Sequence, residues 1–281
     1  MNLVIKNTNE IADENSPIIY KDPLVTKGTL LCVDFSNGVT IKGGSLSKGL
    51  IDLADDAAIE IGVQTNPMVM NPTDMNITVD KGLSPFNIGF IGNSGFHRGI
   101  NFSDITRYLY EKQPKALLTF WIKANMTSQD LSSSVMVVSE DASAQGNVFI
   151  QNPSNINPYV SARFANKRSL ANFNIGSNYT QISIEFTGTT TPNKVYVNGE
   201  YLQDGEDSVG GFIEPTGNEV IGVGHRGAGG SNGSLTLYRI IIEDLTASER
   251  SAESVIIQDY NFVNALEEYE GIIKRPFANI I

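Results

Sequence analysis

The segment Ala116-Leu117-Leu118-Thr119-Phe120-Trp121-Ile122-Lys123-Ala124 decides the fold class of this chain. Its aromatic and branched apolar residues predict a β-strand, the strongest strand signal in the sequence. Successive side chains of a strand point to opposite faces, so Phe120 and Trp121 lie on different sides of it. One of them can therefore enter the core of a β-sandwich while the other packs at its surface. We expect Trp121 to be a core residue, because it lies in the most apolar strand.

Further strands follow this segment at a spacing of roughly ten residues. They are predicted at 134–139, 147–151, 159–164, 181–186, 219–224 and 234–242, with turn residues between them. Residues 194–202 are predicted to form a hairpin with an Asn198-Gly199 turn, in which the glycine supplies a positive φ. Many short strands at this spacing are typical of a sandwich.

Two helices are predicted. Ser103 or Asp104 can cap a short helix that runs to Tyr110. Near the end of the chain, Thr246 and Glu249 form a capping-box pattern, which predicts one helix from 247 to about 268. Residues 51–61 fit either a helical turn or a strand.

The first 65 residues are turn-rich and contain apolar stretches with little means of burying them alone. We therefore predict an extended arm at 1–65 that adds strands to a neighbouring subunit, a jelly roll with its closing helix at 66–268, and a tail at 269–281. Within the arm, the Asn37-Gly38 step indicates a hairpin. Just after it, three methionines at 68, 70 and 75 can line an interface or fill a core.

The composition disfavours several classes of function. The 281 residues carry a formal charge of −11, and nucleic-acid binding needs clustered Lys and Arg for phosphate contacts. One cysteine, Cys32, forbids an intrachain disulfide, and two histidines cannot supply a three-histidine metal site. Gly and Asn are abundant, at 26 and 27 residues, as expected of a β-rich protein with many turns.

The order of several short motifs resembles the concanavalin A-like lectin and laminin-G-like jelly-roll family. The motifs are Leu118 to Lys123 with its Phe-Trp pair, Val195-Tyr196-Val197-Asn198-Gly199, Ile221-Gly222, Gly233 to Ile240 with its Tyr-Arg-Ile, and Leu245-Thr246-Ala247-Ser248-Glu249. Thr236 stands where the family pattern usually has an acid. The resemblance covers roughly residues 76–265. It implies an all-β jelly-roll sandwich, here with an extended N-terminal arm and a C-terminal helix.

No catalytic pattern accompanies this resemblance. Glycan-cleaving relatives place two glutamates and an aspartate at alternate positions of one strand, and the acidic residues here lack that spacing. Glu140, Glu185 and Glu243 are the nearest candidates, and we interpret them as solvated surface acids. No other catalytic motif is present, so the chain is predicted not to be an enzyme.

Two glycine-rich loops carry a His-Arg pair each. These pairs can contact a ligand, or they can satisfy loop carbonyls or contact a neighbouring subunit. The candidate residues are His97, Arg98, His225, Arg226 and Asn232. The loop with Asp204, Glu206 and Asp207 could hold Ca²⁺ through carboxylate oxygens, although an ordinary exposed loop explains it better. No cofactor or other metal is predicted.

The first functional hypothesis is a structural virion protein of a tailed bacteriophage, in its head decoration, fibre or tail. Its lectin-like jelly roll would bind host surface glycans, and residues 1–65 would join it to a homo-oligomer, a trimer by preference, and to other virion proteins. A free carbohydrate-binding lectin is the alternative, and a glycan-cleaving enzyme is the third. Neither a secretory signal nor a membrane-spanning run is visible, which fits a virion location.

Overall fold

The structure is a computed structural model. The described residues are 22–35, 45–70, 75–77, 83–85, 99–124, 134–138, 148–151, 159–164, 167–172, 179–187, 193–204, 212, 214–215, 220–223 and 235–264. Their strands form two antiparallel sheets, so the predicted all-β sandwich is confirmed.

The first sheet has eight strands and the second has seven. Those of the first sheet are β1 (Thr29–Asp34), β3 (Met75–Ile77), β4 (Leu83–Pro85), β6 (Ala116–Ala124), β11 (Thr180–Phe186), β12 (Lys194–Val197), β13 (Glu200–Asp204) and β15 (Leu235–Asp244). Those of the second are β2 (Met68–Met70), β5 (Gly99–Asn101), β7 (Ser134–Val138), β8 (Val148–Gln151), β9 (Tyr159–Phe164), β10 (Lys167–Asn172) and β14 (Val220–Val223).

Strand β6 lies in the middle of the first sheet, between β11 and β15. It spans the residues predicted from the sequence, and its inward face carries Phe120, which is fully buried. Phe120 packs in one core with Ile182 of β11 and Ile240 of β15. The second sheet contributes Ile100 to the same cluster, so the core lies between the sheets.

The outer face of the first sheet is covered by a helix, α4 (Ala252–Asn264). Trp121 faces this helix with 2% of its surface exposed, and its Nε1 donates a hydrogen bond of 2.6 Å to Asp259 Oδ2. Leu117 and Tyr196 pack nearby against Val255 of the helix. Phe120 and Trp121 therefore lie on opposite faces of β6, as the alternation predicts, and both are buried.

A buried charge cluster ties the N-terminal segment to this outer layer. Nη1 of Arg239 donates to Asp22 at 2.6 Å and to Asp34 at 2.9 Å, while its Nε donates to Asp259 at 2.8 Å. Gln181 Nε2 donates to the other oxygen of Asp259 at 2.8 Å. Burial of the guanidinium opposes its charge, but the surrounding carboxylates raise the pKa of Arg239 above its usual range. The charge cluster joins residues that are far apart in sequence.

The predicted capping box is wrong. The preceding carboxylate, Asp244, is the cap of a short helix, α3 (Leu245–Ser248), because its Oδ1 accepts from the Thr246 and Ala247 amides at 2.8 Å. Glu249 has a φ of 58°, which ends α3, and α4 begins three residues later. The single predicted helix is thus two helices.

The other two α-helices of the described residues are α1 (Asp55–Glu60) and α2 (Ser103–Lys112), and a short 3-10 helix spans Leu46–Lys48. Helix α1 resolves the ambiguity of residues 51–61 in favour of a helical turn. Helix α2 lies where a helix was predicted, but neither Ser103 nor Asp104 caps it: Phe102 precedes its first residue without a side-chain cap, and Gln113, with a φ of 47°, follows its last.

The described residues of 22–65 pack within the sandwich of their own chain. Strand β1 pairs with β15, with Val33 opposite Ile240, and its side chains are buried. These apolar residues therefore do not need a neighbouring subunit, contrary to the expectation for them. The division into arm, jelly roll and tail stays a prediction as a whole, since 1–21, 36–44 and 269–281 lie outside the described residues.

Candidate functional site

The sequence-predicted ligand residues cannot be placed. His97, Arg98, His225, Arg226 and Asn232 lie outside the described residues. They stay predictions.

The proposed Ca²⁺ loop is placed in part. Asp204 is the exposed last residue of β13, while Glu206 and Asp207 lie outside the described residues. In the part of the chain that the structure describes, no group of three or more His, Cys, Asp or Glu residues is arranged to hold a metal ion.

The described residues contain a different candidate, which we call the tyrosine patch. It consists of Tyr196, Tyr201, Glu185, Lys194 and Glu253, contributed by β11, β12, β13 and the first turn of α4. Pairing of the strands places Tyr196 opposite Tyr201 and Glu185 opposite Lys194. Directly paired residues share a face of a sheet, so these side chains converge beside α4.

Tyr201 is the exposed aromatic residue of the patch. It is 54% exposed, and its ring centroid lies 5.7 Å from that of Tyr196 at an interplanar angle of 70°. The turn at Asn198 and Gly199, with φ values of 51° and 84°, sets the two strands side by side. An edge-to-face contact holds the Tyr201 ring in place while leaving much of it open to solvent.

Tyr196 organises the acidic side of the patch. Its hydroxyl lies 2.8 Å from Glu185 Oε2 and 3.3 Å from Glu253 Oε1, and Lys194 Nζ lies 3.6 Å from the same Glu185 oxygen. Burial, together with the hydrogen bond to Glu185, raises the pKa of Tyr196 above its usual range. The phenol therefore stays protonated at neutral pH and donates to the carboxylates.

The tyrosine patch combines two properties that suit a polyhydroxylated ligand. The Tyr201 ring offers an apolar face, and the carboxylates of Glu185 and Glu253 accept hydrogen bonds. The sequence shows the Tyr196 and Tyr201 pair as part of a predicted hairpin. It does not show that Glu253, from a helix more than fifty residues later, completes the group.

A small crevice lined in part by β1 is too narrow for a saccharide. It has about 20 Å³ of free volume, which suffices for one water molecule. Its lining includes Leu31, Thr65 and Asp104. Beside it, Asp52 accepts hydrogen bonds from the backbone amides of Cys32 at 2.8 Å and Ala54 at 2.9 Å, and from Thr65 Oγ1. Asp52 thus serves the local structure rather than a ligand.

Asp52 should make the stability of the fold depend on pH. Burial raises its pKa to about 6 from 3.8, so the folded state holds a proton that the unfolded chain releases. The stabilisation is complete below about pH 4 and is lost as the pH rises through about 6, by up to about 3 kcal/mol. Asp52→Asn keeps an oxygen for the two amides and cannot titrate. Denaturant unfolding at several pH values gives the free energy of unfolding of both proteins. The difference between Asp52→Asn and native protein should change between about pH 4 and 6. A difference that is constant with pH contradicts the raised pKa of Asp52.

Solved structures with the same fold include binding domains of botulinum neurotoxins. The chain aligns with botulinum neurotoxin type C, whose cell entry depends on interaction with two ganglioside molecules, at a TM-score of 0.54 and 12% identity over 85% of this chain and 52% of that one. It aligns with the binding domain of botulinum neurotoxin DC in complex with rat synaptotagmin II at 0.56 and 13%, over 86% and 53%. It also aligns with the binding domain of Paraclostridial Mosquitocidal Protein 1 at 0.53 and 14%, over 84% and 53%.

These likenesses show the fold and nothing finer, because the identities are low. The chain spans about half the length of the neighbouring structures. No protein-family model and no curated protein matches the chain. Among the described helices, none is both long and apolar enough to span a membrane.

Proposed function

We propose that this chain is a glycan-binding β-sandwich module that holds saccharides on the tyrosine patch. The observation that carries the proposal is the exposed Tyr201 ring, fixed edge-on against Tyr196 beside two carboxylates. Fixed aromatic side chains give much contact area for little loss of conformational entropy. The ganglioside interaction of the type C neurotoxin, which shares the fold, agrees with a binding role.

Tyr201→Ala should weaken saccharide binding at least about tenfold, equivalent to about 1.4 kcal/mol. Tyr201→Phe should retain most of the affinity, because it keeps the ring face and loses only the hydroxyl. Binding is first located on an array of neutral, amino and sialylated oligosaccharides, and then measured by titration calorimetry with the glycan that binds.

Two controls separate a loss of contact from a loss of fold. The exposed Ile59 of α1 provides one, since Ile59→Ala removes a similarly exposed apolar side chain outside the tyrosine patch. Thermal unfolding of Tyr201→Ala provides the other, and its midpoint should stay close to that of the native protein because the side chain is half exposed. Equal binding by Tyr201→Ala and native protein contradicts the proposed site.

A non-catalytic role is part of this proposal. The structural neighbours are binding domains, and the acidic residues follow no glycanase spacing. Incubating the array-positive glycan with the protein should leave the glycan intact. Release of reducing ends by native protein, lost in Glu185→Gln, would place the chain among enzymes instead.

The finer proposal is that this module works within the virion of a tailed bacteriophage, as a homo-oligomer attached to other virion proteins. Support for it comes from the sequence resemblance and the Gly- and Asn-rich strand connections. The described part of 22–65 gives no support, because it is buried in its own sandwich. Mass spectrometry of purified particles tests the proposal: a fixed copy number supports it, and absence from every particle contradicts it.

A further inference from the structure

The charges around Tyr201 restrict the kind of saccharide that the tyrosine patch can hold. Glu185, Lys194 and Asp204 form a row across three neighbouring strands, since Lys194 pairs with Glu185 on one side and with Asp204 on the other. The next row carries Tyr196 and Tyr201. Two carboxylates thus flank a single lysine beside the aromatic pair.

Glu253 adds a third carboxylate from α4, the helix that covers this face of the sheet. It reaches the Tyr196 hydroxyl from the first turn of α4, where it is exposed to solvent. Lys194 is already within 3.6 Å of Glu185, so its charge is offset by that partner. Asp204 hydrogen-bonds to the Tyr201 side chain, and Glu253 accepts from the Tyr196 hydroxyl. Three carboxylates thus face the single positive charge of Lys194 beside Tyr201, and the net charge of −11 adds to the same negative potential.

We infer that the tyrosine patch selects saccharides carrying a protonated amine over their N-acetylated counterparts and over sialylated glycans. The inference rests on the proposed glycan-binding function and names its ligand class. An ammonium group placed at the patch is attracted by the carboxylates of Asp204 and Glu253 and by the face of the Tyr201 ring. Acetylation removes that charge, and a sialic acid carboxylate reverses it.

The test compares chitosan and chitin oligosaccharides of equal length, which differ in acetylation of the amine. The titrations are done at about pH 6, where an amine of ordinary pKa is protonated. Titration calorimetry in roughly 0.02 M salt should give at least about fivefold tighter binding of the chitosan oligomer, falling to under about twofold in 0.5 M salt, because the charges are screened. Sialyllactose should bind more weakly than the chitin oligomer.

A pair of matched variants assigns the preference to the patch. Asp204→Asn with Glu253→Gln should lower the ratio of chitosan to chitin affinity to under about twofold, since it preserves side-chain shape and removes two charges. Asp56→Asn with Glu60→Gln makes the same change in net charge on exposed residues of α1. That helix packs on β1, five strand spacings or roughly 24 Å from β13, so this variant should keep the preference.

The outcomes distinguish this inference from the function on which it rests. Binding of both oligomers with equal affinity, lost in Tyr201→Ala, overturns the amine preference and leaves the glycan site standing. An amine preference that disappears equally in the α1 control reflects overall charge and also overturns the inference. Failure of every oligosaccharide to bind overturns both proposals together.

Discussion

Replacing Arg239 with methionine should destabilise the fold by about 3–5 kcal/mol, the typical cost of breaking a buried ion pair. The side chains of Arg239, Asp22, Asp34 and Asp259 are 0–2% exposed, so water cannot take over the lost contacts. Three carboxylates would remain buried without their cation. The melting temperature should fall by roughly 10 °C or more. The chain contains a single tryptophan, and Trp121 donates to Asp259, so its fluorescence reports on unfolding of this layer.

Arg107→Met is the matched control for this change. Arg107 is exposed on α2, so the same substitution there should alter stability by less than about 0.5 kcal/mol. Adding Asp22→Asn and Asp34→Asn to Arg239→Met should recover part of the loss, because it removes two uncompensated charges. A stability of Arg239→Met equal to that of the control would mean that the charge cluster contributes nothing.

Removing residues 1–35 should leave a chain that does not fold. The deletion takes away β1, in which Leu30, Leu31 and Val33 are fully buried, and burial of each contributes about 1.5–3 kcal/mol. The sum approaches the whole stability of a typical domain, about 5–15 kcal/mol. The deletion also uncovers the edge of β15 and removes the ion-pair partners Asp22 and Asp34 from Arg239.

Asp22→Asn separates loss of the strand from loss of the ion pair. It keeps β1 and should remain folded, with a destabilisation of about 1.5–3 kcal/mol for a hydrogen bond to a charged group.

Circular dichroism and size-exclusion chromatography of the fragment 36–281 should show an unfolded chain. A cooperative thermal transition in that fragment would instead support an independent jelly roll that begins after the arm.

Local patterns predicted most of the central strands. Strand β6 and the hairpin at Asn198 and Gly199 appear where the sequence places them, because each depends on neighbouring residues alone. The predicted capping box was wrong because a neighbouring residue, Asp244, caps the helix instead. Asp244, two residues before Thr246, accepts from the Thr246 and Ala247 amides, while Thr246 Oγ1 accepts instead from the Lys115 amide at 3.1 Å.

The candidate site was accessible to sequence reasoning in part. The Tyr196 and Tyr201 pair follows from hairpin register, which is a local property. Glu185 and Glu253 join them through strand pairing and through helix packing, and neither contact leaves a spacing pattern in the chain. The His-Arg loops stay a sequence prediction, since they lie outside the described residues.

The sequence by itself determined the β-sandwich class, the alternation of Phe120 and Trp121, and the lack of an intrachain disulfide. Those properties depend on side-chain periodicity and composition, which any extended strand expresses locally. Tertiary structure alone decided that β1 belongs to the sandwich and that Arg239 meets Asp22 and Asp259. Those contacts join residues up to 217 positions apart. The sequence around a charged residue does not indicate whether that residue will be solvated or will pair with a distant strand.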